Sequence, residues 1–165
     1  MENSLLCDNV VTRKNRLPRN SNYFEKIDSR DKAYWLGIMY SDGCVCERKN
    51  GIHSVHLEMI DKEHIEKFRD ALNAVYHKIL TVHHKNFNNA KPSYAIHIYD
   101  KKMAKDLMEL GCIPRKSFRL SSIPNIPQEF VYDFIRGFAD GDGCICHNKS
   151  CDSYFFKLTG ASPLL

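Results

Sequence analysis

Two aspartates, Asp42 and Asp142, lie 100 residues apart in matching sequence surroundings. Each ends a helical run and stands just before a segment with the character of a strand. The residues that recur at this displacement are Gly37, Asp42, Gly43, Cys44, Cys46 and Lys49, which reappear as Gly137, Asp142, Gly143, Cys144, Cys146 and Lys149. The chain therefore carries the same carboxylate-bearing helix end twice.

Small residues precede each aspartate on one face of its predicted helix. Gly37 and Ser41 are four residues apart in the first copy, and Gly137 and Gly141 are four apart in the second. Residues at this spacing share a helix face, so the two faces can pack with their backbones close together. If the two helices run side by side in the same direction, the two aspartates meet where both helices end.

Two carboxylates at helix C-termini need a compensating positive charge. A helix C-terminus carries about half a negative charge, and an added carboxylate there costs about 0.3–1 kcal/mol. Mg²⁺ takes oxygen ligands, commonly one or two carboxylates completed by water and phosphate oxygens. A single Asp-Gly pair most often only closes a helix or starts a turn. Its duplication in fixed register favours a shared divalent-metal site.

These residues resemble the motif of the LAGLIDADG homing endonuclease family. The motif corresponds to WLGIMYSDG at 35–43 and to IRGFADGDG at 135–143. The resemblance extends to the approach segment NYFEKIDSRDKAYWLG and to GCIPRKS. In the family, the last acidic residue of each motif binds the catalytic metal, which implies that role for Asp42 and Asp142. The earlier acidic position holds Asp140 in one copy and Tyr40 in the other, so no catalytic role is carried to it.

The resemblance also implies a set of site residues. Lys116, in the Lys-Ser stretch of GCIPRKS, is the candidate for a lysine near the cut phosphate, where it would stabilise developing charge or position the attacking water. A charged loop after a helix is the alternative for Lys116. The predicted metal site comprises Asp42 and Asp142 with the flanking Ser41, Gly43, Gly141 and Gly143. The predicted helix interface comprises Gly37, Ser41, Gly137 and Gly141.

Between the motifs, the pattern reads helix, hairpin, helix, hairpin, helix. Strands are predicted at 44–48, 52–60, 77–84 and 93–99. A helix is predicted from a cap at Asp61 through about Ala74, and another over 101–110, ended by Gly111. The predicted core positions of the first of these helices are Ile65, Phe68, Leu72 and Val75.

An antiparallel sheet with helices on one face leaves its other face polar, which suits a duplex groove. In the resembled family this face lies in the major groove, and two halves side by side form a saddle. The predicted DNA contacts are Arg48, Asn50, Cys46, His56, His83, Lys85 and His97 in the first half, and Asn148 and Lys157 in the second. Arg48 and Asn50 rank first because their side chains suit bidentate base contacts. For each candidate singly, an ordinary exposed polar side chain is the alternative.

The predicted fold class is α+β, with two pseudo-symmetric αββαββα halves and the motif helices packed at their interface. We expect a basic N-terminal arm at 1–22, a first half at 23–124 and the start of a second half at 125–165. The basic residues of the arm are Arg13, Lys14, Arg16 and Arg19. They either contact phosphates or belong to a solvated terminus. Because one hairpin, at 144–147 and 153–159, follows the second motif, we expect the second half to be incomplete.

Composition agrees with an intracellular protein. The chain is 43% hydrophobic with a net charge of +4, which permits nucleic-acid binding without requiring it. No apolar run approaches membrane-spanning length, and the first residues do not read as a secretory signal, so no membrane partner is expected. The seven cysteines are expected to be free thiols or ligands rather than a disulfide framework. Zinc sites fit poorly in either half, since structural zinc sites favour Cys-x-x-Cys spacing. The candidate ligands are Cys44, Cys46, His53 and His56 in the first half, and Cys144, Cys146, His147 and Cys151 in the second.

The resemblance implies a free-standing, mobile-element-encoded DNA endonuclease. It would hydrolyse both strands of a long double-stranded site with Mg²⁺ or Mn²⁺, and it would act as a monomer when full length. The rival is a binding protein that keeps this scaffold without cutting, either an RNA splicing maturase or a transcription regulator. Retention of both aspartates favours the nuclease, because a protein that only binds has no need of two carboxylates at adjoining helix ends.

Overall fold

The computed structural model describes residues 18–47, 51, 53–83, 91–114 and 124–158. Within these ranges, the chain forms a mixed α+β fold with four α-helices and antiparallel sheets. No helix of the described ranges combines the length and the apolar character that crossing a membrane requires. The predicted residues that lie outside these ranges are Arg13, Lys14, Arg16, Arg48, Asn50, Lys85 and Lys116.

The order of elements follows the predicted alternation of helices and hairpins. The first part comprises α1 (Arg30–Ser41), β1 (Gly43–Glu47), β2 (His53–Met59), α2 (Lys62–Ala71), β3 (Ile79–Val82), β4 (Ser93–Ile98) and α3 (Lys101–Glu109). A short 3-10 turn at Gln128–Phe130 then leads into α4 (Val131–Asp142), β5 (Gly143–Asn148) and β6 (Ser153–Leu158). Both motifs therefore form the end of a helix that passes directly into a strand.

Side-chain caps set where the helices of the first part begin. Ser29, Asp61 and Asp100 each accept a hydrogen bond from a backbone N–H of the first turn, at 3.3, 2.9 and 3.1 Å. Such caps contribute about 1 kcal/mol each, because they satisfy donors that the helix leaves unpaired. The predicted cap at Asp61 is confirmed. Gly111 follows the end of α3 with a φ of +98°, a left-handed conformation that favours glycine.

Four strands form one antiparallel sheet in the order β1-β2-β4-β3. Leu57 pairs with Ile96, and Val55 pairs with both Val45 and Ile98. Directly paired residues point to the same side of a sheet, so these apolar side chains form one face. They are buried in the main core together with side chains of α1, α2 and α3. Cys44, His56 and His97 belong to the opposite face.

Helix α2 ends at Ala71, earlier than predicted. The predicted core positions that are buried are Ile65, Phe68 and Leu72. The prediction for Val75 was wrong, because 49% of this residue is exposed. The chain turns at Asn73, whose φ is +51°, so helical spacing no longer applies beyond it. Ala74 is buried instead.

The segment before α1 is fixed to the body of the protein by Arg19. The Arg19 guanidinium binds the Asp100 carboxylate, with Nε and Oδ2 2.6 Å apart and the side chains only 7% and 5% exposed. The Asn20 N–H also donates to the Leu72 carbonyl at 2.7 Å. The prediction that Arg19 belongs to a solvated or phosphate-contacting arm was therefore wrong. Its partner is the N-cap of α3, about 80 residues away in the sequence.

Candidate functional site

The motif helices α1 and α4 pack with their backbones in contact. A Cβ added to Gly37 would lie 2.6 Å from the Phe138 backbone nitrogen. A Cβ added to Gly137 would lie 3.1 Å from the Ile38 backbone nitrogen. Each contact therefore has a counterpart 100 residues away on the other helix. Side chains larger than hydrogen do not fit at these two positions without displacing backbone, which is why both hold glycine.

The two helices run in the same direction and end together. Gly37 lies near Phe138, and Gly141 lies against both Ser41 and Asp42. Residue numbers increase along both helices from the first contact to the second, so the helices are parallel. A Cβ added to Gly141 would collide with Ser41 Oγ and would lie 2.5 Å from Asp42 Oδ2. The Asp42 carboxylate thus lies against the last turn of α4, one residue before Asp142 in the sequence.

Negative charge from the helix ends and from two carboxylates meets at this junction. Asp42 is exposed and Asp142 is half-buried. No basic residue lies in the last turn of α1 or of α4. The partial negative charge of each helix C-terminus therefore adds to the charge of the carboxylates. A cation at the junction would lower the free energy of this arrangement.

The two aspartates at the helix junction suit a metal that needs few protein ligands, such as Mg²⁺, better than one that a full set of protein side chains encloses. Among the described residues, no group of three or more His, Cys, Asp or Glu side chains is placed to hold a metal ion. Mg²⁺ does not require such a group, since one or two carboxylates completed by water and phosphate oxygens are its usual partners in nucleic-acid chemistry. Asp42 and Asp142 are the two carboxylates here that could contribute to such a partial ligand set. The flanking Ser41 and Gly141 form the close contact between the two helix ends.

Tyr34 connects the two motif helices through its hydroxyl, a contact that the sequence reasoning missed. The hydroxyl donates to Asp140 Oδ2 at 2.8 Å and lies 2.9 Å from His64 Nε2. Burial raises the pKa of Tyr34 well above its ordinary value, and the hydrogen bond to Asp140 raises it further. The Arg136 guanidinium lies over the Tyr34 ring, 4.8 Å from its centre. The motif drew attention to Asp140, but only the helix register reveals its partner.

Tyr40 occupies the position that corresponds to Asp140 in the first motif. It is buried, and its hydroxyl donates to the Leu110 carbonyl at 2.5 Å. A Cβ on Gly111 would collide with this hydroxyl, and the Tyr40 ring lies 5.2 Å from that of Phe134. Tyr40 therefore anchors α1 to the end of α3 and to α4. This packing accounts for the absence of a carboxylate at that position.

The open face of the first sheet carries a row of polar side chains. Register places Cys44, His56 and His97 directly beside one another on three neighbouring strands. The His56 and His97 rings stack with centres 4.1 Å apart at an angle of 22°. Burial lowers the pKa of His56 below its ordinary value, and the neighbouring His97 lowers it further. Cys46 is half-buried on the same face.

The remaining predicted DNA contacts lie away from this row of side chains. His83 is exposed directly after β3, so the strand register does not assign it to the open face. Asn148 and Lys157 are exposed on the β5–β6 hairpin. Lys157 pairs with Cys144, and Asn148 pairs with Ser153, so all four belong to one face of that hairpin. Arg48, Asn50, Lys85 and Lys116 lie outside the described residues.

Comparison with curated proteins gives two relatives, and no family model matches the chain. An uncharacterised protein of Methanocaldococcus jannaschii is 24% identical over 139 residues, which cover 84% of this chain and 50% of that protein. The DNA-directed RNA polymerase subunit Rpo1C of the same organism is 28% identical over 135 residues, which cover 82% of this chain and 14% of that subunit. The chain thus spans half or less of the length of these relatives.

Among solved structures, the chain is similar to the homing endonuclease I-DmoI. A mesophilic variant of that enzyme gives a TM-score of 0.39 at 18% identity, covering 76% of this chain and 60% of the other. A second I-DmoI structure, bound to its target DNA nicked in the coding strand in the presence of manganese, gives a TM-score of 0.40 at 19% identity. That alignment covers 76% of this chain and 64% of the other.

Proposed function

We propose that this chain is a site-specific DNA endonuclease of the LAGLIDADG homing type. The observation that carries the proposal is the approach of Gly141 to the Asp42 carboxylate, which joins the ends of two parallel motif helices at their aspartates. In the proposed architecture, α1 and α4 lie at the centre of two related halves, at 23–124 and from 125 onward. The reciprocal contacts of Gly37 and Gly137 support that two-fold arrangement.

In this proposal, Asp42 and Asp142 hold Mg²⁺ or Mn²⁺ at the helix junction. When bound there, the ion would act as a Lewis acid and would lower the pKa of a bound water. Asp42 and Asp142 fix the position at which a phosphodiester and a water can meet. The close glycine contacts keep both carboxylates on rigid helix ends, which limits the reorganisation that the reaction requires. Lys116 would stabilise negative charge on one of the two cut strands.

The faces of the two antiparallel sheets that carry the predicted contacts would form the saddle that holds the duplex. His56, His97 and Cys46 lie on the open face of the first sheet, while Asn148 and Lys157 share one face of the second hairpin. Side chains that alternate along a strand present a row of polar groups to a major groove. Arg48 and Asn50, which lie between β1 and β2 in the sequence, would read bases.

The test is cleavage of a library of DNA duplexes by the purified protein with Mg²⁺, followed by sequencing of the double-strand ends. We expect cleavage at one long site, and we expect Asp142→Asn to abolish it while DNA binding persists. Ca²⁺ in place of Mg²⁺ provides a control for binding without cleavage.

Asp70→Asn is the matched control variant. Asp70 lies in the last turn of α2, is 56% exposed in its side chain and pairs with Arg69 at 2.8 Å, so it is also a carboxylate at a helix end. Cleavage should survive this substitution. Specific binding without cleavage by the unaltered protein would instead favour a maturase or a transcription regulator on this scaffold.

A further inference from the structure

Two cysteines lie two positions apart on the strand that follows each motif helix. Cys44 and Cys46 belong to β1, and Cys144 and Cys146 belong to β5. Residues at this spacing in a strand point to the same face of the sheet. In both pairs the two Sγ atoms are 3.5 Å apart. We call them the β1 thiol pair and the β5 thiol pair.

Both thiol pairs lie on the side of the hairpin that solvent can reach. Val45, between the two cysteines of the β1 pair, points into the core and is 2% exposed. The two thiols of the β1 pair are half-buried, while Cys144 is exposed and Cys146 half-buried. Cysteine is among the residue types that are most often buried. Filling of a core therefore does not account for two thiol pairs on the open side.

The strand geometry favours an ion between the two sulfur atoms over a covalent bond. Alternate Cα atoms of a strand lie about 6.5 Å apart, at the upper end of the range that disulfides span, so a disulfide would bend the strand. A metal ion with two sulfur bonds of about 2.3 Å spans sulfur atoms up to about 4.6 Å apart. From their separation of 3.5 Å, the sulfur atoms would need to part by only about 1 Å.

The ligand type and number select the ion. Thiolates bind soft cations, whereas Mg²⁺ and Mn²⁺ prefer oxygen. Structural zinc sites take four protein ligands, but no group of three His, Cys, Asp or Glu side chains is placed to hold a metal in the part of the chain that the structure describes. Cu(I) is soft and is stable with two sulfur ligands. We propose that each thiol pair binds one Cu(I) ion, giving two copper sites per chain.

Binding would form two S–Cu bonds in each pair and break two S–H bonds, with both protons released to water. Copper enters and remains as Cu(I), so no electron is transferred. The resulting complex of two thiolates and one monovalent cation carries a net charge of −1. Lys157 lies directly opposite Cys144 in the strand register, where its positive charge offsets that of the complex. The residue opposite Cys44 is His56, which adds no negative charge.

The test is anaerobic competition for Cu(I) between the full chain and bathocuproine disulfonate, a chromogenic chelator. We expect the unaltered chain to withdraw two ions. Cys46→Ser and Cys146→Ser should each withdraw one, because a single thiol binds about 100-fold or more weakly than two that act together. Cys151→Ser is the matched control, since Cys151 is exposed and its Sγ contacts the Ser153 hydroxyl at 3.0 Å, outside either thiol pair. It should still withdraw two ions.

Alkylation of the unaltered protein keeps the test decisive if a serine variant fails to fold by circular dichroism. Cu(I) should protect both thiol pairs from N-ethylmaleimide while Cys151 continues to react, as measured by mass spectrometry of peptides. Withdrawal of less than one ion per chain, equal losses in Cys46→Ser and Cys151→Ser, or equal protection of Cys151 and the pairs would overturn the proposal. Neither measurement uses DNA or Mg²⁺, so the copper sites and the nuclease can fail independently.

Discussion

The Tyr34 hydroxyl joins α1, α2 and α4, because its two partners, Asp140 and His64, belong to the other two helices. Tyr34→Phe would leave the Asp140 carboxylate without this donor. We expect the free energy of unfolding to fall by about 0.5–1.5 kcal/mol, the usual net contribution of a hydrogen bond, because Asp140 is exposed. Urea denaturation, monitored by circular dichroism, measures this change in the free energy of unfolding.

The matched control is Tyr76→Phe. Tyr76 is 66% exposed, so removal of its hydroxyl should change the free energy of unfolding by less than about 0.5 kcal/mol. Equal effects of the two substitutions would show that the Tyr34 hydroxyl does not connect the helices.

His56 makes stability depend on pH. Burial, together with His97, holds the pKa of His56 below the value of about 6.5 that an unfolded chain shows. Below that pH the unfolded chain takes up a proton that the folded chain resists, so stability is complete above about pH 6.5 and falls as the pH decreases. Burial lowers the pKa of His77 in the same direction. His56→Asn should therefore reduce, without removing, the loss of stability from about pH 6.5 to pH 5.

Thermal unfolding across this pH range, compared with the exposed variant His83→Asn, measures the effect. An unchanged pH dependence in His56→Asn would contradict the assignment.

For single residues, the sequence pointed to Asp42 and Asp142 as site residues but did not reveal the hydrogen bonds of their neighbours. Asp42 and Asp142 were identifiable because their surroundings repeat in register. The pairing of Tyr34 with Asp140 depends on how two helices distant in sequence are rotated against each other. Neither residue type nor local spacing encodes that rotation.

At the scale of the elements, the contact of α1 with α4 depends on Gly37 and Gly137. A Cβ at Gly137 would collide with the Tyr34 carbonyl and crowd the Ile38 nitrogen, which are backbone atoms that move only with the helix. Gly137→Ala should lower the free energy of unfolding by about 1–3 kcal/mol through overpacking, despite the better helix propensity of alanine.

Gly51→Ala is the control for this substitution. A Cβ at Gly51 meets nothing within 4 Å, and its φ of +74° should cost only about 1 kcal/mol. Denaturation curves of both variants measure the difference. If Gly137→Ala were neutral or stabilising, the close helix contact would be wrong.

The elements themselves were largely predictable, because hydrophobic alternation and caps are local signals. The strands, the cap at Asp61 and the glycine after α3 all correspond to the expected pattern. Predictions were wrong where contacts between residues distant in sequence determine the structure. The turn at Asn73 exposes Val75, and Asp100 draws Arg19 into a buried ion pair.

At the scale of the whole molecule, the first sheet has its helices and the second hairpin does not within the described residues. Sequence led us to expect an incomplete second half from the single hairpin after α4. The exposure of Ile145 on the β5–β6 hairpin becomes informative only when it is compared with Val45, its buried equivalent in the first sheet.

The most direct measurement is a Mn²⁺ titration in which the electron paramagnetic resonance signal reports the concentration of free ion. If Asp42 and Asp142 share one cation, Asp42→Asn and Asp142→Asn should each raise the dissociation constant of the same single site at least about tenfold, a loss of about 1.4 kcal/mol. Asp70→Asn should leave it unchanged. A variant lacking the Asp142 carboxylate that binds Mn²⁺ as tightly as the unaltered protein would contradict a shared metal site at the helix junction.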